Sequence, residues 1–122
     1  MNVESVLGGY LTTALWAESA NDYGDSFTCL GYTADNYAPE TMNRMRDDVL
    51  RFVGAVEYAG IDLGGYSDAA IGHDLWLTRT RSGAGFWDGD YPDGAGERLT
   101  EIADNLGECW IVLGDDGLIY TI

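Results

Sequence analysis

Apolar side chains return at intervals of 3, 4, 3 and 4 through Met42, Met45, Val49, Phe52 and Val56. A strand cannot gather that spacing on one side, and an α-helix does so automatically. Pro39 suits the first turn of such a helix, where its missing N–H has no partner to lose. Gly60, and then Gly64 and Gly65, supply its end. This segment is the fixed point around which the rest of the chain must pack. Arg44 with Asp48, and Asp47 with Arg51, stand four residues apart and predict ion pairs on its outer surface. Three of the six arginines lie in this stretch and are expected to serve local pairing.

Residues 3–18 place Val3, Leu7, Tyr10 and Ala14 at helical spacing, with Leu11 and Leu15 widening the stripe. Gly8 and Gly9 count against that helix by up to about 1 kcal/mol each. Residues 20–37 read as a polar loop with a short extended stretch from Phe27 to Tyr32. From Gly72 the period changes: Asp74-Leu75-Trp76-Leu77-Thr78 alternates as a strand does. Ala84 to Asp88 is expected to pair back on it after a turn at Arg81-Ser82-Gly83. Gly94 to Leu106 predicts a third helix. Trp110-Ile111-Val112-Leu113, the turn Gly114-Asp115-Asp116-Gly117 and Leu118 to Ile122 predict a second hairpin. The expected architecture is an α+β single domain over residues 1–122, with about three helices packed on a mainly antiparallel sheet of about four strands.

At 46% hydrophobic and 12% aromatic, the chain has enough apolar material to fold despite its charge. It holds no 18-residue apolar run, and Met1-Asn2-Val3-Glu4 is not a basic leader segment, so a cytoplasmic protein is expected. Cys29 and Cys109 form no Cys-x-x-Cys, and one histidine leaves too few soft ligands for structural zinc. Both are expected to be buried thiols. No metal or other cofactor is expected.

Charge is the strongest compositional signal. Twenty-one carboxylates face six arginines with no lysine, a net charge of −15. On a duplex, fifteen charges occupy roughly 25 Å of axis, close to the long dimension of a compact chain with a radius of gyration of about 14 Å. Such a field repels nucleic acid and anionic membrane and attracts cationic protein surfaces. The acids are uneven: residues 82–122 carry nine of them against Arg98 alone. In the predicted third helix Glu97, Glu101, Asp104 and Glu108 share one face, opposite Leu99, Ile102, Ala103 and Leu106. The four would span about 16 Å at helical rise, a diluted version of a phosphate row, unless Gly107 ends the helix before Glu108. Asp88, Asp90 and Asp93 precede this helix, and Asp115 and Asp116 follow it, as the rim of the same patch.

Other chemistry finds less support. Asp88-Gly89-Asp90-Tyr91-Pro92-Asp93-Gly94 departs from a calcium loop, because its third aspartate is one place late and the twelfth position is Leu99. His73 is the only histidine, and on a strand Asp74 would face the opposite side. No Gly-x-Ser-x-Gly, Walker loop or paired catalytic motif is present, so no enzyme activity is expected. Trp87 and Tyr91, set among the aspartates, are candidate anchors for a protein interface.

The stretch Gly72-His73-Asp74-Leu75-Trp76-Leu77-Thr78-Arg79, then Gly83-Ala84-Gly85-Phe86-Trp87-Asp88, Leu99-Thr100, Gly107-Glu108 and Gly114-Asp115-Asp116-Gly117-Leu118-Ile119-Tyr120, resembles a group of small acidic proteins encoded by phages and mobile elements. The likeness covers roughly residues 72–120 and departs at Thr80 to Ser82. In composition the chain is also similar to DNA-mimicking anti-restriction and anti-CRISPR proteins. The first group has no assigned activity, and what these resemblances imply is a setting; with the charge they give the expectation of an inhibitor that occupies a basic DNA- or RNA-binding groove of a host defence complex, the charge itself excluding direct nucleic-acid or membrane contact. Two alternatives remain beside it. One is a salt-adapted or accessory soluble domain without a dedicated partner, and the other is a small-molecule-binding protein using His73.

Overall fold

The computed structural model describes residues 1–82 and 84–122. Two of the predicted helices are in place at the start of the chain. Helix α1 spans Val3–Ala17, and Asn2 caps it by accepting the Ser5 amide at 3.0 Å. Helix α2 spans Pro39–Ala59, begins with its proline and ends at Gly60, whose φ of 65° lies in the left-handed region that glycine enters without strain. Met45, Val49, Phe52 and Val56 are all buried.

The segment expected to form the first hairpin folds differently. Asp74 to Thr78 lies inside helix α3, Asp68–Thr80, which Ser67 caps by accepting the Ala70 amide at 3.1 Å. Ala84 to Asp88 leads into a short 3-10 turn at Phe86–Asp88. Of the turn predicted between them, Gly83 lies outside the described residues. The reason for the difference is burial. Ile71, Gly72, Leu75, Trp76, Leu77, Thr78, Arg79 and Thr80 are all buried, so α3 has little polar face to give a helical period, and five alternating residues imitate a strand.

Two glycines bring α3 this deep. A Cβ on Gly72 would collide with the Val6 carbonyl and lie 2.7 Å from the Tyr10 amide nitrogen, and one on Gly9 would strike the Ala69 backbone. The propensity lost at Gly9 is thus offset by close approach of α1 to α3, the most extensive contact between any two elements. The expected extended stretch from Phe27 to Tyr32 is a chain of turns, with amides of Leu30, Gly31 and Tyr32 returning to Ser26, Thr28 and Phe27.

Helix α4 spans Ala95–Asn105, and the second hairpin forms as predicted. Strands β1, Ile111–Leu113, and β2, Ile119–Thr121, pair antiparallel with Ile111 opposite Thr121 and Leu113 opposite Ile119. Ile119 also accepts the Ala38 amide at 3.0 Å, which fastens the hairpin to the start of α2. The fold is therefore mostly helical. Among the described residues, four helices with one two-stranded sheet replace the expected α+β arrangement of about three helices on a mainly antiparallel sheet of about four strands.

At the centre sits a charge. Arg79 is 3% exposed and donates to Asp48 at 2.7 Å, to the Tyr10 hydroxyl at 2.8 Å, and to the carbonyls of Leu106 and Gly107 at 3.1 Å each. One side chain of α3 thereby ties together α1, α2 and the C-terminal end of α4, where a cation meets the negative end of the helix dipole. Asp48, expected on the outer surface, is buried, and Arg44 reaches it only at 3.9 Å. Cys109 is buried beside this hub, and burial pushes its thiol up. Cys29, also expected inside, is exposed; both thiols are free.

Candidate functional site

Helix α4 is amphipathic because its inward residues Ala95, Leu99 and Ala103 are buried while Glu97, Glu101 and Asp104 are exposed on the other side. Gly107, at φ 80°, lies beyond the end of the helix, so Glu108 stands outside it, exposed. Arg98 does not neutralise the row. It turns toward α2 and donates to the Ala59 carbonyl at 3.2 Å. Asp104 has a cation nearby, Arg81, at 3.6 Å. Glu97 and Glu101 have no ion-pair partner among the described residues.

Where the arginines go explains the bareness of this row. Arg79 is inside, Arg44 and Arg46 hold Asp48 and Glu4, Arg98 caps α2, and Arg81 reaches Asp104. Five of six cations are thus engaged in packing, a helix end or local pairs, although Arg79 alone of them is buried, and none of the five meets Glu97 or Glu101.

The contacts of α4 also fix its direction. Its first turn meets Ala59 through Arg98, its end meets Asp48 through Arg79, and Arg44 approaches the Glu108 carbonyl at 3.5 Å. The helix runs antiparallel to α2, and the hairpin then carries the chain to Ala38 at the start of α2. Acids from Asp93 to Glu108 thus follow one another beside α2 in the direction opposite to its own.

The flanking residues divide. Asp93, Glu97, Trp87 and Tyr91 line one cavity of about 270 Å³ at the start of α4. Trp87 is 48% exposed there. Tyr91 is held by its neighbours: its ring stacks on Tyr66 at 3.9 Å, and its hydroxyl donates to Asp74 at 2.6 Å. Burial first, and then Asp74, pushes that phenol up. Asp88 and Asp90 are exposed in the loop ahead of the cavity. Asp115 and Asp116 stand apart in the hairpin turn, where the Tyr120 hydroxyl at 2.5 Å and the Leu118 amide at 3.0 Å hold the Asp116 carboxyl below its usual range.

A second feature escaped sequence reasoning. Because residues 73 and 74 are helical, the His73 ring and the Asp74 carboxylate meet at 2.9 Å instead of facing opposite sides. Trp16 stacks on His73 with centroids 5.6 Å apart. Both rings line an open groove of about 650 Å³ between α1 and α3, floored by Gly8, Gly9, Ala69 and Ala70. The adjacency of His73 and Asp74 was visible; the helix that joins them was not. Among the described residues no cluster of three or more His, Cys, Asp or Glu side chains is arranged to hold a metal ion.

Comparison with known proteins finds no family model that matches the chain, and no curated protein or solved structure similar to it. No helix among the described residues is long and apolar enough to cross a membrane.

Proposed function

We propose that this chain is an acidic, non-enzymatic inhibitor whose α4 face and its flanking turns compete with DNA or RNA for a basic groove in a host defence complex of the restriction or CRISPR type. The observation that carries the reading is the exposed pair Glu97 and Glu101, which have no ion-pair partner among the described residues, on a helix whose own arginine, itself exposed, is turned aside to the Ala59 carbonyl. Around them, residues 82–122 hold nine acids against one arginine. Carboxylates also dot the rest of the surface, at Glu4, Asp22, Asp35, Glu40, Asp47, Glu57 and Asp62, as a salt-adapted domain would have them. Density along α4 is what favours mimicry.

The test is displacement. Purified restriction and CRISPR effector complexes, loaded with a fluorescent duplex or guide, release it when the protein is titrated in, with an inhibition constant that weakens steeply with salt. Neutralising the row (Glu97→Gln, Glu101→Gln, Asp104→Asn) raises that constant at least tenfold. An unchanged constant removes α4 from the account, and failure to displace from any complex removes the function.

The His73 groove favours a second reading, a small-molecule-binding protein. Its polar groups are partly committed already, since Thr13 donates to the Gly9 carbonyl at 2.7 Å and His73 is engaged with Asp74. Quenching of Trp16 fluorescence across a fragment library decides it, with loss of the response in Trp16→Phe.

A further inference from the structure

The hairpin has an edge and a face that the rest of the chain leaves unused. Gly114 donates to the Leu118 carbonyl at 2.8 Å and Ile122 to the Trp110 carbonyl at 3.1 Å. With Val112 opposite Tyr120, alternation makes residues 110, 112 and 114 the ones bonded to β2. The N–H and C=O groups of Ile111 and Leu113 therefore point away from it, and among the described residues no group bonds to them. On β2 the equivalent edge is engaged at Ile119 by Ala38. Ile111 is buried, so the free edge opens at Leu113, beside the turn.

The same hairpin turns an apolar face outward. Trp110, Val112 and Ile122 are 38, 36 and 69% exposed, with half-buried Tyr120 between them. Such a face beside an unpaired edge is the arrangement that adds strands from other chains. Acids frame it at both ends, Glu108 before β1 and Asp115 and Asp116 after β2's turn begins.

We infer that the β1 edge accepts an extended segment of a partner protein as a third strand, with apolar side chains at alternate positions on the Trp110, Val112 and Ile122 face and lysine or arginine at its ends. The choice of a cationic partner over a second copy follows from charge: two copies would bring net charges of −15 together with Asp115 and Asp116 at the seam. The inference deepens the proposed function, on which its cationic partner rests, and it assigns the hairpin a contact that charge alone does not make.

The probe is a synthetic peptide of alternating valine and threonine capped by lysines, titrated into the full chain with amide resonances followed by NMR; its control is the same peptide capped by glutamates. The expected result is shifts and slowed exchange at the amide of Leu113, where the edge opens, with at least tenfold weaker binding of the glutamate-capped peptide. Val112→Lys, on the outer face, lowers affinity for the lysine-capped peptide at least tenfold while the cross-strand contacts of Ile111 and Thr121 persist. The α4 triple variant binds the peptide within about threefold of the parent. Shifts confined to α4, or none at all, overturn the inference, as does edge protection that grows with protein concentration alone, which would place a second copy there. A silent β1 with displacement that still depends on α4 leaves the electrostatic reading standing; a responsive β1 without displacement does the reverse.

Discussion

Helices α3 and α4 have 13 and 11 residues and use charge in opposite ways. Eight residues of α3 are buried, its arginine among them, and its Asp74 is bonded to His73 and Tyr91. Only Ala95, Leu99 and Ala103 of α4 are buried, and its carboxylates face outward. Glu97 and Glu101, four residues apart, repel each other by a few tenths of a kcal/mol, and Asp104 in the last turn opposes the helix dipole. Helix α3 holds the molecule together; α4 lends it a surface that stability alone would not select.

The sharpest way to break that contrast is at Arg79. Arg79→Met leaves Asp48 buried without its partner and removes the tie to the Leu106 and Gly107 carbonyls, so a loss of about 3–5 kcal/mol is expected, read by urea titration. A loss below about 1 kcal/mol would mean that the hub does not carry the fold. Next is Gly72→Ala. The new methyl meets backbone on α1, at Val6 and Tyr10, which cannot swing aside as a side chain would. A cost of about 1–3 kcal/mol is expected, whereas Gly8→Ala, with nothing within 4 Å of the new atom, is expected to stabilise α1 by up to about 1 kcal/mol.

The same contrast explains what the sequence disclosed. Helix α2, helix α4 and the last hairpin are half-buried, so their apolar residues leave a period that can be read directly. Helix α3 is enclosed and leaves none, and the alternation at Asp74 to Thr78 pointed to a strand. A usable signal lay further back, at Ser67-Asp68, a capping residue followed by an acid in the first turn. Taken as a helix start, it would have put His73 and Asp74 on one helix. The outward row on α4 was legible because it is a surface property of one amphipathic element. Burial of Asp48 and Arg79 was not, since an i,i+4 pattern with Arg44 describes a surface pair as well as a buried carboxylate whose main partner lies 31 residues away. Tyr91 was read as an anchor from its acidic neighbours in sequence, but its partners, Tyr66 and Asp74, come from other segments.

A third prediction sharpens the comparison from the α4 side. Glu101→Gln alone changes stability by less than about 0.5 kcal/mol, as surface substitutions do, and in the favourable direction because it relieves repulsion by Glu97. A clear loss in the same urea titration would show that the row contributes to the fold and would weaken its assignment to binding.

The smallest effect belongs to the hairpin turn. The Tyr120 hydroxyl, and then the Leu118 amide, hold Asp116 below the ordinary value of 3.8. A depressed carboxyl stabilises the folded form above its unfolded value and loses that contribution as the pH falls through the folded one. The Leu118 amide resonance should therefore titrate with a midpoint below 3.8, and the shift should vanish in Asp116→Asn. Because the turn is exposed, the loosening stays local, and Arg79 and the α1–α3 contact keep the helices together through the transition. A midpoint at or above 3.8 would mean that the phenol does not hold the carboxylate in solution. Asp116 would then be as free as Asp115 to meet a cation on a partner strand, and the acid frame beside the β1 edge would be stronger than the hydrogen bonds of the turn imply.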